Sequence, residues 1–210
     1  MAGLRSTQPG ATVTNPDHRE AMFHAYDHAA DVVAGVNPDQ LESPTTCPDY
    51  DVAALVDHLV GAGHRAVALG RGESPGGDEF PHVELSDAPE QLRRAGQEAR
   101  AAWSDDARLV ATVTMPWGET YSGSTLVDMY LVELATHAWD LAAATDQLDQ
   151  LDSDLATNAL VGAHSMLKPE YRNAMGDGSP FGSEVQAPTD SSPWERLAAF
   201  MGRQPRPASR

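Results

Sequence analysis

An otherwise apolar run, "VELATHAWD" at residues 132–140, carries Glu133 and His137 four residues apart. Helical spacing sets the two side chains next to each other on one face. On a helical wheel Leu126, Tyr130, Glu133, His137, Leu141 and Ala144 form one stripe, with the carboxylate and the imidazole in its middle. Burying a lone carboxylate costs several kcal/mol unless it is paired or bound to metal. Glu133 therefore needs a partner. His137 is near but does not suffice alone.

The rest of the chain supplies helices to pack against. Residues 17–36 carry Met22, Tyr26, Ala29, Val33 and Val36 at helical period and predict a first helix. The three prolines of "NPDQLESPTTCPDY" end it. Asp51 is a good N-cap for a second helix over roughly 52–71, with Val52, Leu55, Val56 and Leu59 as its core stripe. The Gly/Pro-rich "GESPGGDEFPHVEL" reads as a loop. A third helix starts near Asp87, with Glu90 completing a capping box, and runs to about Trp103. "LVATVTMPWGETYSGS", β-branched around a Trp-Gly turn, predicts a short hairpin. A fourth helix opens near Ser124 or Thr125, with Asp128 placed for its capping box, and runs to about Thr145. A fifth spans roughly 152–167, and residues 172–190 look loop-like. A short last helix has Ser192 as N-cap, Pro193 at the first position and Gly202 as stop. The tail "RQPRPASR" should be disordered.

The fold class is thus mainly α: a helical bundle with a small β-hairpin before the fourth helix and a short C-terminal helical extension. The expected organisation is a disordered leader at 1–16, the bundle at 17–170, the extension at 171–203 and a disordered tail at 204–210. A length of 210 residues suits one domain with an appendage.

Composition narrows the function classes. A net charge of −17 with only 14 Lys+Arg argues against binding nucleic acid or an anionic membrane surface, since both want clustered cations. No apolar run approaches the roughly 18–20 residues of a membrane span, and the polar N-terminus has no secretory apolar core. The single cysteine, Cys47, excludes an internal disulfide and points to a reducing cytoplasm.

A divalent cation would satisfy Glu133 and His137 together, because neutral imidazole and carboxylate are good ligands for zinc and similar metals. The best third ligand is His58 in "DVAALVDHLVGAGH", on the edge of the second helix's stripe. Gly61 and Gly63 after it would let another helix pack closely. Bundle interiors build metal sites this way. Three protein ligands leave an open position, as in catalytic rather than structural sites. The plainer alternative is a core histidine beside a helix-surface Glu/His pair.

Other candidates rank lower. His24 and His28 flank the first stripe and read as exposed, with metal binding as the alternative. His64 lies about 120° from His58 around a straight helix and cannot share its metal. His18, His82 and His164 have no partner in the sequence. Cys47 reads as a small buried thiol, because nothing nearby supplies a cation to lower its pKa. Asp140 could orient the His137 ring or lie at the surface. Trp117 could line a pocket or cap the core.

"SPTTCPDYDVAALVDHLVGAGH" and "MPWGETYSGSTLVDMYLVELATHAWDLAAATDQ" resemble the second helix, hairpin and fourth helix of the mycothiol-dependent maleylpyruvate isomerase metal-binding domain family of the DinB-like superfamily. "PFGSEVQAPTDSSPWERLAAFMGRQP" is similar to the C-terminal end of a compact actinobacterial branch of that family. The resemblance runs from about residue 17 to 205. It implies a DinB-like four-helix bundle whose zinc is held by His58, Glu133 and His137, with water in the remaining position. It also implies mycothiol as cosubstrate, and a homodimer, for which no heptad or apolar patch gives a geometry. The isomerase itself carries a separate C-terminal domain that completes its active site, whereas this chain has only a short, different extension. The expected function is therefore a thiol-dependent isomerase or S-transferase acting on a small electrophile. The alternatives are a metal-dependent hydrolase using metal-bound hydroxide, and a non-catalytic metal-binding or stress protein.

Overall fold

The computed structural model describes residues 16–77, 80–167, 172 and 182–205. Residues 1–15 of the predicted leader, residues 173–181 of the predicted loop and the last five residues of the tail lie outside the described residues.

Helix boundaries follow local chemistry. Helix α1 spans Arg19–Ala34 and α2 spans Val52–Arg71. The Asp51 carboxylate accepts the Ala54 N–H at 2.8 Å and starts α2. Helix α3, Ala88–Ala102, lacks the predicted capping box. Asp87 has helical φ/ψ rather than the extended backbone a cap needs, and proline in the first turn removes a donor that its carboxylate would accept. A short helix α4, Ala107–Val110, was not foreseen.

Strands β1 (Thr112–Thr114) and β2 (Thr120–Ser122) form the expected hairpin, with Thr112 opposite Ser122 and Val113 opposite Tyr121. The last strand residue also opens the next helix. Ser122 Oγ accepts the Thr125 N–H, so α5 runs over Gly123–Ala144 and begins earlier than predicted. Asp128 is thus not a cap. It is 1 % exposed, 2.6 Å from His18 Nδ1, and accepts a hydrogen bond from Ser165 at 2.6 Å. Helix α6, Ser153–Met166, starts at the Asp152 cap. Helix α7, Pro193–Phe200, has the full capping box of Ser192 and Glu195.

Helices α1 and α2 each pack against both α3 and α5, which sets α1 and α2 on one diagonal of a four-helix bundle. Helix α6 covers the outer side of α5, and α7 packs on α6. Of the 22 residues of α5, 16 are buried, so this helix is enclosed on nearly every side. By length and mean hydropathy (1.2) α2 also passes as a membrane span, contrary to the sequence expectation. Its apolarity has a bundle explanation, since over half of that window is buried among the other helices.

The close approach of another helix expected at Gly61 and Gly63 is found at Gly63, whereas Gly61 faces a loop. A Cβ on Gly61 would overlap the Phe80 ring from the following loop, and one on Gly63 would meet the Tyr26 ring of α1 at 2.9 Å. Tyr26 is wholly buried and donates its hydroxyl to the Gly63 carbonyl at 2.8 Å. Its other side rests on Gly96 of α3, where an added Cβ would lie 2.9 Å from the Tyr26 Cβ. That neighbour is attached directly to backbone and cannot swing aside. Gly96→Val should therefore destabilise the bundle by about 1–3 kcal/mol, the usual range for overpacking. Urea unfolding checks this, with Gly77→Ala as the control expected to leave the midpoint unchanged, because nothing lies within 4 Å of that position.

Candidate metal centre

Adjacent helices α2 and α5 bring His58, Glu133 and His137 together. His58 Nε2 lies 2.7 Å from Glu133 Oε1, and His137 Nε2 lies 3.7 Å from the same oxygen. The two imidazole centroids are 4.7 Å apart with planes at 78°. One ligand atom from each of the three residues falls within 4.8 Å of the others. The side chains are 12 %, 28 % and 9 % exposed, respectively, so Glu133 is the open member. All three line a cavity of about 230 Å³.

Charge is arranged around this triad. Burial pushes the Glu133 carboxyl up, but His137 and His58 outweigh it and bring the pKa down to about 2, so Glu133 is a carboxylate at neutral pH. Asp140 is wholly buried. Burial pushes its pKa up too, yet the hydrogen bond with His137 and the Arg203 charge hold it well below the usual carboxylate range. Asp140 Oδ2 lies 3.0 Å from His137 Nδ1. An ionised carboxylate only accepts, so Nδ1 carries the proton. In neutral His137 the lone pair then belongs to Nε2, on the side of Glu133.

Cys47, His137 and Asp140 form a second close group, and all three are buried. It is a poorer ligand set. Both Asp140 oxygens are already taken: Thr46 Oγ1 and Arg203 Nε donate to Oδ1, Arg203 Nη2 and His137 Nδ1 to Oδ2. Burial pushes the Cys47 thiol up, although Arg203 opposes the shift. The expectation that no cation approaches Cys47 is corrected: the cation comes from the far end of the chain.

Local folding delivers the other walls. The 44–51 loop is closed by a bridge between Pro44 and Asp51, and Thr45 Oγ1 accepts the Cys47 N–H and lies 2.7 Å from the Tyr50 carbonyl, to which it donates. Tyr50 then lies 4.8 Å from the His58 ring and 6.1 Å, edge-on, from that of His137. At the other end, Gly202 adopts φ +82° and its N–H reaches the Ala199 carbonyl, while the Arg203 N–H reaches Ala198. This left-handed turn, which the sequence marks as a helix stop, aims Arg203 back into the fold. Arg203 is only 8 % exposed, so the predicted disordered tail does not begin at this residue.

The remaining candidates disperse. His28, expected at the surface, is buried and stacks on Trp194 at 5.6 Å, while His24 stays half-exposed 3.5 Å from Asp152. His18 is buried against Asp128, His82 is exposed beside Asp57, and His164 packs on Phe200 at 4.1 Å. His64 is exposed. Trp117 neither lines the cavity nor caps the core; it is 51 % exposed in the hairpin turn. Asp140 takes the buried of its two readings. Arg203 escaped the sequence reading altogether, and the only hint was that a buried Asp140 would require a cation.

The chain matches the mycothiol maleylpyruvate isomerase N-terminal domain over residues 22–142, which takes in His58, Glu133 and His137. It is 35 % identical over 188 residues to an uncharacterized protein of Mycobacterium tuberculosis strain CDC 1551 / Oshkosh, covering 87 % of this chain and 96 % of the relative. The same figures hold for an uncharacterized protein of strain H37Rv. No solved structure matches. With its four-helix bundle, hairpin and second- and fourth-helix motifs in order, the chain belongs to the mycothiol maleylpyruvate isomerase N-terminal domain family.

Proposed function

We propose that this protein holds one divalent metal ion, zinc, on His58, Glu133 and His137, and catalyses a thiol-dependent isomerisation or S-transfer on a small electrophile, with mycothiol as the thiol. The observation that supports it is the convergence of two imidazoles and one carboxylate at the cavity wall. The donor set fits zinc: nitrogen and oxygen ligands in number for a catalytic site with an open position. Asp140 behind His137 is the outer carboxylate that such histidines typically carry. When bound, the ion supplies Lewis acidity that makes a thiol or water available as a nucleophile at neutral pH.

The residues of the chain do the rest. Glu133, ionised, contributes the one negative charge of the ligand set, leaving the site cationic. Asp140 fixes which nitrogen of His137 is free. The Tyr50 ring leans on both imidazoles and restricts their rotation. Thr136 also lines the cavity, with its Oγ1 buried. In the reaction, thiol sulfur adds to one carbon of a conjugated double bond and its proton passes to the other end of the conjugated system. The carbon–carbon bond, now single, rotates. Expulsion of the thiol returns an isomer, and retention gives the S-transfer product.

Two outcomes follow. Elemental analysis of the purified protein should find about one zinc-like ion per chain, and Glu133→Ala should lose it while keeping its helical circular dichroism. Turnover of a conjugated electrophile should require added thiol and fall at least about 100-fold in the His58→Ala, Glu133→Ala double variant. Turnover that persists without thiol would favour hydrolysis by activated water instead.

A further inference from the structure

The buried Asp140 joins the candidate centre to the end of the chain. Arg203 approaches it as a fork, with Nε 3.2 Å from Oδ1 and Nη2 2.9 Å from Oδ2, and its third nitrogen, Nη1, donates to the Met201 carbonyl at 2.9 Å. Each guanidinium nitrogen therefore has a protein partner. This committed geometry suits a group that acts on Asp140, and through it on His137, rather than on a ligand in the cavity. The contact spans 63 residues, and Arg203 lies outside the 22–142 family match.

We propose that Arg203 is a positioning residue for the metal centre: by fixing the Asp140 carboxylate it holds the His137 ring with Nε2 toward Glu133, and it couples docking of residues 182–205 to metal binding. The metal part rests on the function proposed above. The positioning part stands on the hydrogen bonds alone. If the extension undocks, Asp140 loses two of its four donors and the fixed direction of its oxygens, and the His137 ring is released with it. Coupling is reciprocal, so an extension that tightens metal binding is itself tightened by metal to the same degree.

The test compares wild type with Arg203→Ala and Arg203→Lys in three measurements. Ring-nitrogen NMR of the metal-free proteins, at mildly alkaline pH, should show His137 protonated on Nδ1 in wild type and a mixture of tautomers in Arg203→Ala. Zinc affinity, by competition with a chelating dye, should fall about 10–100-fold in Arg203→Ala, the usual effect of losing an outer hydrogen-bonded group, and recover in part in Arg203→Lys. Proteolysis within residues 182–205 should be slowed by zinc in wild type and not in Arg203→Ala. Should Arg203→Ala fail to fold with Asp140 left unpaired, Arg203→Gln, which keeps a neutral N–H donor but loses the charged fork, leaves Asp140 itself in place and should show the same direction of affinity loss. A folded variant with wild-type zinc affinity and an unchanged His137 tautomer overturns the proposal, as does a zinc-bound wild type whose extension is cleaved no more slowly. A wild type that takes up no zinc overturns the metal reading instead, and the tautomer comparison then decides the positioning role by itself.

Discussion

Enclosing α5 on almost every side buries carboxylates that the same helix carries, and the rest of the structure is arranged around that cost. Asp128, Glu133 and Asp140 all project from it. An unpaired buried charge would consume a large part of a domain's net stability. Each carboxylate is met by groups from a different place. Asp128 takes His18, just ahead of α1, and Ser165 of α6. Asp140 takes Thr46 of the loop before α2, His137 on its own helix and Arg203 beyond α7. Glu133 takes His58 of α2. The described chain is therefore pinned to α5 near both of its ends, by His18 and Arg203, and between them by Thr46, His58 and Ser165, and the partners of Asp128 and Asp140 close those two sites.

Glu133 differs from the other two. Its hydrogen-bond partner is a histidine whose Nδ1 is itself buried without a partner, and its side chain is the most exposed of the three. In the closed sites each carboxylate oxygen has a hydrogen-bond partner, whereas this one opens on a cavity. A helix buried for packing alone would have no reason to leave a carboxylate and two imidazole nitrogens converging at the cavity wall.

The local part of this was legible in the sequence. Period-3.6 stripes gave the bundle helices, Asp51 and Ser192 marked helix starts, and the four-residue spacing of Glu133 and His137 placed them side by side. The meeting with His58 could be read because polar side chains interrupt the apolar stripe of each helix, His58 at the edge of one and Glu133 with His137 in the middle of the other. Long-range pairs left no such trace. Nothing in the spacing of His18 and Asp128, or of Asp140 and Arg203, sets them opposite each other, because those contacts depend on how distant elements dock rather than on a period. The same limit hides the role of Asp128: near a helix start, acidic residues usually serve the exposed N–H groups, and only the packing of α6 and the residues before α1 over that turn makes the position core. His28 was misplaced for the same reason, since its cover is Trp194 from a helix far along the chain.

The extension completes the cavity that the bundle begins. The family match stops at residue 142, and the bundle without residues 182–205 would leave Asp140 without its arginine and the cavity without the wall that Gly182, Met201 and Gly202 provide. A cavity of about 230 Å³ is below the roughly 300–1,000 Å³ typical of sites for drug-sized ligands. It admits a small reactant or one arm of a larger one. The residues that wall one side of the cavity and the arginine that pairs with Asp140 come from the same segment, so the shape of the cavity and the setting of Asp140 both depend on how that segment docks.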